Sequence, residues 1–320
     1  MDAAERDLFE RTLRGAVTAH TGDALDAALA EVGWTDALAL DVPTAVSTLF
    51  ALQGGAHATS SALDHLLAHA LGLQAGATSG VILPPFGQDD PPGRVSGDRL
   101  AIAGLGHASL PARDDAVIVV RVDGHEVGVT VPTAQLTLQP VGGVDPTLGL
   151  VEVSGDLPAS AVGQGAGPLP WASAVDLARL ALGHELVGAA RTMLDLAVTH
   201  ARVRVQFGRA IGSFQAVRHR LAETLVAIEA ADAALGAAWV DASPTAAAMA
   251  KALAGRAART AARHCQQVLA GIGFTTEHEF HLVLRRVLVL EELFGASRPL
   301  TRDLGAELLH SRRLPTPTPL

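Results

Sequence analysis

Cysteine is nearly missing from this chain of 320 residues: Cys265 stands alone. No intrachain disulfide can form, and nothing calls for an oxidising compartment. Lysine is likewise reduced to Lys251, and asparagine and tyrosine are absent, while alanine, glycine and arginine abound. The net charge is -9 and the arginines read as scattered among carboxylates, which argues against a nucleic-acid surface, since phosphate neutralisation needs clustered cations. No apolar run approaches the roughly 20 residues of a spanning helix. The start, Met1-Asp-Ala-Ala-Glu-Arg-Asp7, carries neither a basic n-region nor an apolar h-region. The expectation is a cytoplasmic protein, neither exported nor integral to a membrane.

What is present is apolar residue in quantity, 49% of the chain, enough for one sizeable core or two to three modest ones. Residues 1 to about 75 read as helical, with Leu8, Leu13, Leu25, Leu29, Leu49, Leu52, Leu63, Leu67 and Leu71 set among alanines and breaks at Gly22, Pro43 and Gly54-Gly55. His65 and His69 lie one helical turn apart, but no third ligand or carboxylate shares their face, so packing or surface roles are expected. From Val81 the composition changes, and Pro84-Pro85, Asp89-Asp90 and Pro91-Pro92-Gly93 mark a linker. Ala116–Val122, the Asp123-Gly124 turn and Glu126–Val131 predict a β-hairpin. Gln135–Gln139 and Leu150–Val153 predict further short strands, and the stretch Gly155–Gly167 a connection back to helix. The expected division is an N-terminal helical domain over 1–80, a reduced β domain over 81–156 and a helical bundle over 157–320.

The C-terminal half is the most informative. Gly183, Val187, Ala190, Leu194, Ala197 and Ala201 form one apolar seam, and Phe214, Val217, Leu221, Leu225, Ile228 and Leu235 form a second. A short turn containing Gly208 and Gly212 joins them, so two long antiparallel helices are expected, with Arg204, Gln206, Phe207, Arg209 and Gln215 on their connection. Arginine, amide and aromatic side chains together suit an extended anionic cofactor. Ser243-Pro244 caps a helix expected to run to about Leu269 and stop at Gly271. Thr276 with Glu279 reads as a capping box for a helix over Glu277–Leu293. Four or more long helices with short connections imply an antiparallel bundle, and a mainly α fold with a small β domain.

The run Arg204-Val-Gln-Phe-Gly208, with Ile211-Gly-Ser-Phe-Gln-Ala-Val217 and His219, resembles the flavin-binding signature of acyl-CoA dehydrogenases. Gln266-Gln-Val-Leu-Ala-Gly-Ile-Gly-Phe274 resembles the family's Gln-x-x-Gly-Gly-x-Gly segment, with Ala270 in place of the first glycine. The resemblance implies an N-terminal helical domain, a β domain and a four-helix bundle, with FAD at a subunit interface and an electron-transferring flavoprotein as acceptor. It implies that Arg204, Phe207, Gln215, Gln267, Gly271 and Gly273 serve the pyrophosphate and adenosine end of a flavin held by a neighbouring subunit.

The other half of the family pattern is missing. Neither a Thr-Glu-Pro…Gly-Ser-Asp segment nor a Trp-Ile-Thr segment occurs between Val81 and Asp156. Where the family usually places its catalytic glutamate stands Phe294, and at the alternative position before an arginine stands Ala178. Glu291 and Asp176 are the nearest substitutes for the base, although solvated helix carboxylates are the simpler reading of both. The resemblance therefore points to the short subunit of an α2β2 acyl-CoA dehydrogenase whose longer partner carries the flavin ring and the base, as in actinobacterial enzymes acting on CoA thioesters of steroid side chains. Two alternatives stay open: a self-sufficient homo-oligomeric dehydrogenase with a displaced carboxylate, and a flavin-free scaffold or regulatory subunit. His278, His281 and Cys265 are expected to cap or pack, not to bind metal or react.

Overall fold

The structure, a computed structural model, describes residues 1–73, 79–162 and 168–312. Five helices come first: α1 (Ala3–Ala19), α2 (Asp23–Val32), α3 (Trp34–Leu40), α4 (Val42–Ala56) and α5 (Ala62–Ala70). The Asp2 carboxylate accepts from the Glu5 amide at 2.9 Å while Glu5 accepts from the Asp2 amide at 2.7 Å, and this reciprocal cap starts α1. These helices close around a core of their own, in which Trp34 meets Phe50 edge-on at 6.5 Å.

A seven-stranded sheet follows: β1 (Ser79–Val81), β2 (Gly93–Ser96), β3 (Arg99–His107), β4 (Asp115–Val122), β5 (His125–Pro132), β6 (Thr137–Pro140) and β7 (Leu150–Pro158). The β4–β5 hairpin turns at Asp123 (φ 47°) and Gly124 (φ 82°), the left-handed pair that matches strand twist. Along its other edge β4 takes β1 and then β2, both parallel; β3 joins β2 to β7, and β6 closes the far edge. β7 extends five residues past the expected Val153, and the expected connection begins only after it; residues 163–167 of that connection lie outside the described residues.

Strands β2 and β3 depart from the sequence reading, which found only a linker before Ala116. Gly104 and Gly106 hid β3, because glycine weakens a strand pattern. Packing explains both: a Cβ at Gly104 would lie 2.3 Å from the Leu83 carbonyl oxygen, and one at Gly106 would lie 2.5 Å from the Leu110 side chain.

The bundle consists of α6 (Trp171–Val203), α7 (Gln215–Asp241), α8 (Pro244–Leu269), α9 (Phe280–Leu290) and α10 (Ser297–Ser311). At 33 residues α6 spans ~50 Å and is buried on nearly all sides, lying between α4 and the rest of the bundle. Backbone touches backbone at the α4–α6 crossing: a Cβ at Gly188 would stand 2.1 Å from the Ala51 carbonyl oxygen, and one at Gly54 would stand 2.0 Å from that of Glu185. The Ser243 hydroxyl accepts from the Ala246 amide at 3.2 Å to open α8. The expected Thr276–Glu279 capping box is not formed. α9 begins at Phe280, whose amide is accepted by Nδ1 of His278 at 3.1 Å, and it ends at Leu290, leaving Glu291–Phe294 as a turn that closes at Phe294 (φ 55°) and Gly295 (φ 98°). Lys251, fully buried, donates to the carbonyls of Leu290, Glu291 and Gly295 at 3.4, 3.0 and 3.2 Å and so pins that turn.

One guanidinium joins the three parts. Arg286 on α9 donates to Asp145 Oδ2 at 3.0 Å in the β6–β7 loop, to the Ala58 carbonyl at 2.7 Å and to Thr59 Oγ1 at 2.8 Å after α4, with Glu185 of α6 at 3.6 Å. Among the described residues no helix is long and apolar enough to cross a membrane.

Candidate functional site

The flavin-signature residues sit where α6 hands over to α7. α6 stops at Val203, and the Ile211 amide returns to the Arg204 carbonyl at 2.8 Å, closing a small hairpin of β8 (Val205–Gln206) and β9 (Arg209–Ala210). Phe207 (φ 54°) and Gly208 (φ 79°) make its tip. Gly212 lets the returning chain press on α6, since a Cβ there would lie 2.9 Å from the Ala201 carbonyl. The hairpin holds an aromatic side chain out in water: Phe207 is 92% exposed, braced edge-on by Phe214 at 6.1 Å, and the Arg209 guanidinium lies over the Phe214 ring at 4.2 Å.

Beside the hairpin runs an open groove of about 390 Å³ lined by Gln206, Phe207, Phe214, Val217, Arg220 and Gln267. The structure thus brings Phe207 and Gln267, sixty positions apart, onto one concavity. Arg204 and Gln215 border it through their neighbours Val205–Gln206 and Phe214–Ala216; the Arg204 side chain is exposed and has no polar partner among the described residues. Gln215 has its amide 3.4 Å from His219. Gly271 is exposed with open space where a Cβ would stand. Gly273 differs: it is buried, and a Cβ there would meet Leu269 at 2.9 Å, so its smallness serves the end of α8. A second groove of about 330 Å³ adjoins the first at Gln267, between Arg259 and Arg263 on one side and Phe274 and Leu288 on the other.

The positions where a base would stand come together and are closed. Arg179, next to the buried Ala178, donates through Nε to the Phe294 carbonyl at 3.2 Å and pairs with the Asp89 carboxylate. Trp171 donates to the Asp89 carbonyl at 2.8 Å and lies 6.4 Å from the Phe294 ring, which is 1% exposed. The expected linker is therefore tied at Asp89 to the start of α6 by an indole and a guanidinium.

Neither substitute carboxylate is a simple solvated one. Glu291 is 1% exposed, bound to Arg259 at 2.8 Å and accepting from the Ser297 amide at 2.7 Å. Burial alone would raise its pKa, but the Ser297 bonds and the Arg259 charge outweigh that and hold it below the usual glutamate range. Asp176 is half-buried 3.7 Å from Arg179; burial pushes its pKa up, against the Arg179 charge and with that of Asp89. Cys265 is buried, and burial pushes its thiol to about 12, which makes it inert.

Sequence reasoning missed a third feature, a small cavity of about 50 Å³ where the N-terminal helices, the sheet and the bundle meet. Gln53, Ser60, Asp64, His107 and Glu185 face it among leucines. Burial pushes Glu185 to about 7, opposed by Arg286, and pushes Asp64 to about 7, opposed by Arg113. His107 Nδ1 accepts from the Ser109 amide at 3.3 Å, while its Nε2 is buried without a partner among the described residues. The only signal in the sequence was a glutamate set in the apolar run Leu180–Gly188.

Residues 170–309 match the acyl-CoA dehydrogenase C-terminal domain. The chain is 37% identical over 204 residues to the acyl-CoA dehydrogenase IpdE2 of Mycobacterium tuberculosis, a stretch covering 62% of this chain and 62% of that one, so the match spans less than two thirds of its relative. Among solved structures it is similar to the ChsE4–ChsE5 complex of Mycobacterium tuberculosis, with a TM-score of 0.74 at 19% identity over 99% of both chains. It is also similar to a variant of the Tcur3481–Tcur3483 steroid ACAD, with a TM-score of 0.78 at 21% identity over 97% of this chain and 99% of that one. At those identities the likeness is one of fold. The family model thus matches the C-terminal bundle, and the solved structures share the fold of sheet and bundle alike.

Proposed function

We propose that this chain is one subunit of an FAD-dependent acyl-CoA dehydrogenase, in which it supplies the site for the nucleotide tail while a longer partner supplies the ring site and the base. The observation that carries the reading is a contrast within one molecule. The groove beside Arg204, Phe207, Gln215 and Gln267 lies open, while Phe294, at the position expected to carry a base, is buried beside Trp171 with its carbonyl bound by Arg179.

The open groove fits a dinucleotide tail. Its exposed Phe207 ring offers a stacking face, Arg204 an unpaired guanidinium for a pyrophosphate, Gln215 and Gln267 amides for polar edges, and Gly271 room for close approach of backbone. FAD, when bound, supplies hydride acceptance from the β-carbon of an acyl-CoA thioester. The α-proton has to go to a carboxylate, and here neither Ala178 nor Phe294 can take it. Glu291 keeps its charge bound to Arg259 and Ser297, and Asp176 is held by Arg179, so this chain orients the cofactor and leaves proton abstraction to its partner. The fold relative named as a steroid ACAD supports a bulky CoA thioester as substrate; the same reading takes an electron-transferring flavoprotein as acceptor and an α2β2 assembly in the cytoplasm.

Purification of the chain alone, and together with a full-length acyl-CoA dehydrogenase of the same host, tests this. The chain alone is expected to be colourless and the pair yellow, bleaching on addition of an acyl-CoA. A chain that is yellow and bleaches alone would establish the self-sufficient enzyme instead. A partner whose flavin content does not change on mixing would establish the flavin-free scaffold.

A further inference from the structure

The small cavity where the three parts of the fold meet is walled by leucines, yet it also gathers polar side chains from every layer. Gln53 comes from α4, Ser60 and Asp64 from the start of α5, His107 from β3 and Glu185 from α6. His107 is 7% exposed. Its Nδ1 accepts from the Ser109 amide at 3.3 Å and lies 3.0 Å from Ser109 Oγ. Burial keeps the ring neutral, against the charges of Asp26 and Asp23 and with those of Arg113 and His65. A neutral ring that accepts at Nδ1 carries its proton on Nε2. That N–H is buried with no acceptor among the described residues, which is costly for a donor shut away from water.

The other polar groups also have capacity to spare. Ser60 Oγ donates to Gln53 Oε1 at 2.7 Å, which leaves the Gln53 amino group, itself without a partner among the described residues. Glu185 faces Arg286 of α9 at 3.6 Å, longer than a hydrogen bond, and Asp145 of the β6–β7 loop takes the same guanidinium at 3.0 Å. Asp64 faces the cavity under the charges of Arg113 and Asp26. The space is about 50 Å³. A single water needs roughly 10–15 Å³ and two to four polar partners, whereas pockets for organic ligands run to roughly 300–1,000 Å³.

We propose that this cavity is a binding site for a small cluster of water molecules, which accept the Nε2–H of His107 and pass hydrogen bonds on to the Glu185 carboxyl, so tying β3 to α6. The same cluster meets the free amino group of Gln53 and thereby reaches α4. Sheet, N-terminal helices and bundle are then joined by shared water as well as by Arg286. The inference stands apart from the partner-subunit reading, since every group in it belongs to this chain.

The test uses the full chain with ¹⁵N-labelled histidine. A long-range nitrogen–proton spectrum is expected to show His107 protonated at Nε2, with cross-relaxation from that proton to water. Protonation at Nδ1, or an Nε2 proton with no transfer to water, would overturn the site. Xenon under pressure gives a second reading, because a dry apolar cavity takes it up. The methyl signals of Leu182 and Leu293 are expected not to move, and a saturable shift would overturn the proposal. His107→Leu tests the link to Glu185, whose carboxyl burial pushes to about 7. Donors passed on through water favour the charged form, so their loss should move the pH midpoint of the Glu185-linked fall in stability upward by about half a unit or more. An unchanged midpoint in the folded variant would overturn that link. Should the variant not fold, the two readings on the wild type still decide the matter.

Discussion

Replacing Glu185 by glutamine should flatten the dependence of stability on pH. Glu185 is 4% exposed, with Arg286 at 3.6 Å as its cation and Asp145 competing for that cation. Burial pushes its pKa from 4.5 to about 7 in the folded state. A carboxyl with a raised folded pKa leaves the native state fully favoured below the unfolded value. That advantage is lost as pH rises through the folded value. At 1.36 kcal/mol per unit the full loss is about 3 kcal/mol, of which about 1.5 kcal/mol falls between about pH 6 and about pH 8.5. Wild-type protein should therefore lose stability to urea across that window, contrary to ordinary acid denaturation, and the variant should lose about 1.5 kcal/mol less. Asp64, also pushed to about 7, adds its own slope in both proteins and cancels in the comparison. Parallel stability curves for wild type and variant would refute the placement of Glu185 as a buried, proton-holding group.

Other outcomes follow from the same packing. Arg286→Met leaves Asp145 and Glu185 buried without their cation and should cost about 3–5 kcal/mol in urea unfolding. Gly188→Ala forces a Cβ to within 2.1 Å of the Ala51 carbonyl and should cost about 3 kcal/mol by parting α4 from α6, seen as a lowered melting temperature. Phe207→Ala, at a position 92% exposed, should leave melting unchanged within about 0.5 kcal/mol. On the proposed function, the same variant should weaken flavin retention by the assembled complex about tenfold, as expected for loss of one stacked aromatic.

What could be read from the sequence was whatever a local rule determines. Asp123-Gly124 specified its hairpin because two adjacent left-handed residues allow little else, and Ser243-Pro244 specified the start of α8 for the same kind of reason. The seams around Gly183 and Ile228 gave the long helices of the bundle. Features decided by distant partners stayed hidden. Gly104 and Gly106 look like strand breakers until Leu83 and Leu110 are seen to press on them. Asp89 looked like part of a linker until Trp171 and Arg179 reached it across more than eighty residues of chain. Glu291 looked like a solvated helix carboxylate because Arg259 and Ser297, its partners, come from α8 and α10. Thr276 and Glu279 satisfied the spacing of a capping box, yet the helix starts only at Phe280, whose amide donates to the His278 ring.

The division of labour between an open nucleotide groove and a closed base position can be tested by counting. The complex of this chain with its longer partner, purified without added cofactor, is to be assayed for flavin per polypeptide by absorbance against amino-acid analysis. One flavin for every two polypeptides is the result expected if each chain of this kind completes a site on its partner and holds none of its own. One flavin for every polypeptide would contradict it.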